Sequence, residues 1–174
     1  MAHSNHAVWK GMVAGLVGGL AASWTMNQFQ ALLSKLAEPR QQDQQQQSQA
    51  DSEQEPATLK AAERLSRAAM RRELRPYEKK IAEPLVHYGY GTAWGAIFGV
   101  LAEVAPVTTK AVGLPFGATL WLAGDEIAVP ALGLSKGPLE YPASSHLQAL
   151  AGHLVYGVTT DMVRRATLKA LERA

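Results

Sequence analysis

Five side chains are best suited to chemistry: the adjacent carboxylates Asp125 and Glu126, and the histidines His87, His146 and His153. Carboxylate and imidazole groups together relay protons near neutral pH or bind a divalent cation such as zinc. His146 and His153 are seven residues apart, which puts them on one helix face about 10 Å apart along its axis. A haem reading would need His87 and His153 to face each other across parallel helices. The plainer alternative is that these groups satisfy one another and the nearby backbone. Enzyme motifs are absent: there is no Gly-x-Ser-x-Gly elbow, phosphate-cradling loop or His-Glu-x-x-His pair. With 0 Cys there is no disulfide, thiolate ligand or thiol nucleophile. The expectation is a protein that is not an enzyme, with no cofactor implied.

The elements that carry these residues are apolar. A bilayer core about 30 Å thick needs about 20 mostly apolar residues per helix. Four stretches suggest spans at about 9–34, 85–104, 108–128 and 143–164. The first resembles a signal peptide, with Lys10 ahead of Gly11 to Ala22, but its apolar character continues to Leu33, which favours an uncleaved helix. In the third stretch, Asp125 and Glu126 would each cost about 2.5–3.5 kcal/mol at a bilayer centre. They must therefore sit near an interface, face the protein or pair. Counting from Lys110 places Asp125 about 22 Å along its helix. All four segments thus bring polar residues to the same half: Asn27 and Gln28, His87, the carboxylate pair, and His146 with His153. This predicts a polar pocket or half-channel.

Glycine spacing predicts how the helices meet. Gly11, Gly15 and Gly19 stand at steps of four, as do Gly91, Gly95 and Gly99, and Gly113 and Gly117 repeat the step once. Small residues at this spacing let backbones approach closely, either within one bundle or between copies. His87–Gly91 and His153–Gly157 share the pattern His-x-x-Tyr-Gly, which suggests two related helical hairpins. Ser144 and Ser145 are candidate caps for the fourth helix, after Pro142. Glu103 and Asp161 read as interface anchors, the latter pairing locally with Arg164 and Arg165.

Residues 35–57 differ in kind. Their Gln-rich tract cannot bury a core and is expected to be disordered. Residues 58–80 read as a basic amphipathic helix. Thr58 could cap its start and Pro76 stop it, while Leu59, Ala62, Leu65 and Ala69 oppose Lys60, Arg64, Arg67, Arg71 and Arg72. It would lie on an anionic leaflet or be simply solvated. Residues 35–84 and 129–142 hold eleven of the 17 Lys and Arg residues, which favours that side as cytoplasmic and both termini outside. A net charge of +2 gives no case for nucleic acid.

The segments HYGYGTAWGAIFGVLAE, GATLWLAGDEIAVPALGL and EYPASSHLQALAGHLVYG resemble the YagU-like bacterial inner-membrane proteins, a family of uncharacterised function. The most specific parts are Asp125-Glu126 followed by Pro130-Ala131-Leu132-Gly133, and Tyr141-Pro142 through His146 to His153-Leu154-Val155-Tyr156-Gly157. The resemblance implies a multi-pass location in the bacterial inner membrane and brings no activity or catalytic residues. The expected fold is all-α: a polytopic four-helix transmembrane bundle with glycine-zipper packing and an amphipathic helix in the first loop. Expected partners are the lipid bilayer and either a second copy or a membrane-complex subunit. The functional expectation is a structural or accessory protein. The alternatives are a small proton or cation channel or transporter using the carboxylate–histidine cluster, and a metal- or haem-binding membrane protein.

Overall fold

In the computed structural model, residues 2–36 and 55–173 are described, and every regular element among them is helical, without strands. α1 runs Ala2–Leu36. α2 spans Ala57–Met70 and α3 spans Pro76–Val104. A tight 3-10 segment, Pro106–Gly113, leads into α4, Leu114–Leu120. The same rod continues as a π-helix, Trp121–Ala128, and the short turn α5, Val129–Ala131. α6 spans Ala143–Arg173. Most of the Gln-rich tract lies outside the described residues.

Several boundaries depart from the sequence expectation for local reasons. The basic helix ends at Met70, not 80, because Arg71 turns left-handed (φ 54°) and closes it by donating its N–H to the Arg67 carbonyl at 3.1 Å. Pro76 therefore starts α3 rather than terminating α2; its missing N–H costs nothing in a first turn. Pro56 precedes α2, and Thr58 sits within its first turn. Residues 108–113 are not the start of the third helix. Ala111, Val112 and Gly113 all take positive φ, which halts any α-helix and delays it to Leu114. Ser144 and Ser145 lie inside the first turn of α6, where Ser145 donates its N–H to Pro142 at 3.0 Å.

The long helices alternate in direction. α1 packs on both α3 and α6, and α4 packs on α6. Glycine decides how close they come. A Cβ on Gly15 would stand 2.9 Å from Gly99 Cα and collide with the Gly95 carbonyl, and one on Gly19 would stand 2.9 Å from Gly95 Cα. Gly11 and Gly99 meet in the same way, as do Gly19 and Gly91. On the other hairpin, Gly113 and Gly117 of the third segment face Gly157 and the His153 carbonyl of α6. The two helices carrying His-x-x-Tyr-Gly thus each lie antiparallel against a glycine-bearing partner. Gly18, off the predicted stripe, lets α1 approach the Thr160 carbonyl of α6.

The core is correspondingly small: Ala22, Met26, Leu120 and Tyr156, with Trp94 and Phe116 against it. Phe98 stacks on Phe116 at 4.5 Å between ring centroids. Ser23, Thr160, Asp161 and Arg164 are buried, whereas Trp9, Val17, Leu20, Trp24, Ile97, Leu122 and Met162 are exposed. Among the described residues, no helix is long and apolar enough to cross a membrane.

α2 buries only part of the expected apolar face, since Leu65, 63% exposed, and Ala69 stay outside. Leu59, Ala62 and Ser66 are buried, and the helix packs on α3. Charged groups on and beside α2 pair with one another. Lys79 bridges Glu63 at 2.6 Å and Glu55 at 2.9 Å, and Arg72 grips Glu78 at 2.7 Å. The Lys79 hydrogen bond holds the Glu63 carboxyl below the usual range. The Arg72 side chain, then the Arg75 N–H, hold Glu78 down to about 2.

Candidate functional site

The end of the bundle formed by the C-terminus of α1, the start of α3, the π-helix and the start of α6 collects all five predicted polar residues. The π-helix positions the carboxylates. Its wider turn, closed by the Val129 N–H on the Gly124 carbonyl, places Asp125 and Glu126 beside α6. Such turns are rare and concentrate at functional sites. Glu126 Oε1 lies 2.7 Å from His146 Nδ1, and His146 Nε2 lies 2.9 Å from the Pro138 carbonyl. Asp125 Oδ2 is 3.6 Å from His153 Nδ1, an ion-pair distance, while that nitrogen donates to the Ala149 carbonyl at 3.0 Å. His87 Nε2 is buried without a hydrogen-bond partner, as is Trp121 Nε1. Asn27 ties α1 to α3 here by donating to the Tyr88 hydroxyl at 3.2 Å.

The structure therefore makes two carboxylate–imidazole pairs, one outer (Glu126–His146) and one inner (Asp125–His153), rather than one convergent cluster. Among the described residues, no group of three His, Asp or Glu side chains is arranged to hold a metal ion. The metal reading has no donor set there. Two His–carboxylate pairs can hold and exchange protons.

A second polar cluster, at the opposite end, is larger than the sequence suggested. Asp161 is 0% exposed and accepts from both Arg164, at 2.9 Å, and Arg165, at 2.8 Å. Arg164, 5% exposed, also reaches Glu103 of α3 at 3.2 Å and lies 5.8 Å over the Phe98 ring. Arg165 donates to the Thr109 carbonyl at 3.2 Å, and Lys10 of α1 donates to Leu171 at 3.4 Å. Local spacing explains the Asp161 pairs. Nothing in the local pattern announces that Arg164 spans to Glu103.

Between these ends, α6 buries His153, Tyr156, Gly157, Thr160, Asp161 and Arg164, a largely polar stripe at helical spacing. The Tyr156 hydroxyl donates to the Gly91 carbonyl, and Thr160 bonds back to Tyr156 O at 2.8 Å. Fold and site together define an all-helical bundle with glycine-mediated contacts and polar groups inside. The chain belongs to the family described as "Protein of unknown function (DUF1440)", whose model matches residues 33–162. Neither a curated protein nor a solved structure matches it.

Proposed function

We propose that this is a multi-pass helical membrane protein, a non-enzymatic structural or accessory component whose polar interior is satisfied within the bundle. The observation that carries the reading is the partition of side chains. Trp24, 58% exposed, and Leu20, 52% exposed, point outward from α1 while Asp161 and Ser23 are enclosed. In water, such a distribution forfeits about 25 cal/mol for each Å² of apolar surface left wet. In lipid, outward aliphatic and aromatic side chains cost nothing, and helices associate through small residues and internal hydrogen bonds. A shallow groove on the bundle, lined by Met12, Ala96, Ile97, Val100 and Leu101, has the chemistry of an acyl-chain contact.

Length is no obstacle, since 35 residues of α1 extend about 52 Å. Apolarity is diluted because these helices spend their contact positions on glycine and buried polar groups. The likeness to YagU-like inner-membrane proteins supports the same location. The test is extraction of membranes at alkaline pH, combined with labelling of single cysteines at Trp24, Ile97 and Leu122. Retention in the pellet, with all three positions shielded from a charged thiol reagent, supports the proposal. Recovery as a monomer without detergent overturns it, and recovery as a stable oligomer would assign the apolar face to a second copy.

The paired carboxylates and histidines favour a second reading, proton or cation passage. It predicts pH- or cation-dependent flux in liposomes that disappears in Asp125→Asn. No flux from the reconstituted protein would remove it.

A further inference from the structure

The loop between α5 and α6, residues 132–142, is fastened at two places. Near its start, Arg64 of α2 donates to the carbonyls of Leu132 and Gly133, the latter at 3.1 Å. At its far side, His146 bonds Pro138 O at 2.9 Å and Glu126 Oε1 at 2.7 Å. The second fastening has a chemical consequence. A neutral imidazole offers one N–H and one bare nitrogen. Both partners here, a carbonyl and a carboxylate, are acceptors. Two good hydrogen bonds therefore require one extra proton on the His146–Glu126 pair, whichever of the two holds it. Without that proton, a nitrogen lone pair faces an oxygen lone pair, at 2.7 Å on the Glu126 side or 2.9 Å on the Pro138 side according to the tautomer, and one contact must break.

We propose that His146 is a proton-operated clasp: the shared proton holds the 132–142 loop onto the π-helix, and its loss releases the loop. The other ionisable groups on the adjoining elements are accounted for. Tyr141 sets its ring edge-on to His146 at 6.4 Å, and its hydroxyl accepts from the Lys136 N–H at 3.3 Å. Glu140 is occupied with the Gly137 N–H at 3.0 Å. Asp125 belongs to the inner pair with His153. Glu126 is thus the carboxylate that answers His146. The sign follows from linkage: the closed loop binds one proton more than the open one, so closure is favoured at low pH. The open-to-closed ratio then rises about tenfold per pH unit above the titration point of the pair. The proton balance of the pair is the same in lipid or in water, so the clasp does not depend on the membrane location.

Leu139 is 99% exposed at the tip of this loop, and the chain has 0 Cys, so Leu139→Cys gives a single site for a nitroxide spin label. The full chain, in detergent or in buffer, is titrated from pH 5 to 9 while label mobility is read. The expected result is an immobile label at low pH that becomes mobile in one single-proton step. Two variants must move in opposite directions. Glu126→Gln can donate its amide N–H to neutral His146 while His146 still donates to Pro138, so the label stays immobile across the range. His146→Phe makes neither bond, so the label is mobile throughout. A wild-type label that ignores pH, or a step that survives in Glu126→Gln, overturns the clasp.

Discussion

Adding one methyl group at two glycines of α3 should shift stability in opposite directions. A Cβ on Gly89 meets nothing within 4 Å, whereas one on Gly95 would lie 2.5 Å from Gly19 Cα and 2.7 Å from Gly19 N. Alanine in a helix interior is favoured over glycine by about 0.8–1 kcal/mol. Gly89→Ala should therefore gain about 1 kcal/mol. At Gly95 the same gain is opposed by the collision. Ordinary carbon contacts begin near 3.4 Å, so α1 and α3 must part by about 0.9 Å. The obstructing atoms are backbone, so no rotamer change relieves them. A gap of 0.5–1 Å forfeits a quarter to a half of each dispersion contact along the crossing. Overpacking of this kind costs roughly 1–3 kcal/mol. Because both helices are rigid and the glycine contacts share one crossing, the upper value applies, leaving a net loss of about 2 kcal/mol.

For a chain of this length, 1 kcal/mol corresponds to about 2–4 °C in Tm. Thermal unfolding followed by circular dichroism should thus show Gly89→Ala raised by about 2–4 °C and Gly95→Ala lowered by about 4–8 °C. The comparison is internal to one helix, so the choice of detergent or buffer cancels. If Gly95→Ala is neutral or stabilising, the two helices do not approach through glycine.

Three further perturbations test other contacts. Asp161→Ala leaves Arg164 buried and short of a carboxylate, so it should lose about 3–5 kcal/mol in denaturant titration. The combined Glu103→Gln, Asp161→Leu, Arg164→Met variant removes the network together and should lose much less. The hydrogen bonds from Arg72 and the Arg75 N–H hold Glu78 at about 2, below its ordinary 4.5. Its folded-state contribution is therefore present above pH 4.5 and lost as pH falls from there through about 2, read as faster hydrogen exchange at residues 71–78. Arg64→Gln should release α2 from the Leu132 and Gly133 carbonyls, lowering exchange protection over 57–70 while protection in α1 is unchanged.

The bundle was legible wherever a periodic signal was repeated. Gly11, Gly15 and Gly19 predicted a close crossing, within the bundle or between copies, and in the structure they meet Gly91, Gly95 and Gly99 of the same chain. Gly18 and Gly157 carried no such repetition. A helix touching two neighbours needs a second contact face, and Gly18 lies about 100° round from Gly19, where a step-of-four pattern does not look. The left-handed run at Ala111 and Val112 was hidden for a different reason: neither residue type favours positive φ, so tertiary context imposes it. The π-helix likewise has no one-sequence signature. Of the site, the residue types and the shared end of the bundle were readable, but the partners were not, because Glu126 and Asp125 choose between histidines two turns apart only once the wider turn is formed.

The buried face of α6 joins these observations. It carries His153 at one end, Tyr156 and Thr160 along its length, and Asp161 with Arg164 at the other. Each ionised group is answered by a named partner, and the glycines opposite allow the approach those bonds need. A fold of this kind draws cohesion from close backbone contact and internal polar satisfaction around a small apolar core, with other large apolar side chains, Leu20, Trp24 and Leu122 among them, pointed outward. In water the greater driving force would lie in burying those side chains, and the polar stripe would be the costlier thing to enclose. The proposed membrane location accordingly rests on side-chain placement and not on the hydropathy of any one helix, because hydropathy averages the inward and outward faces that the fold keeps apart.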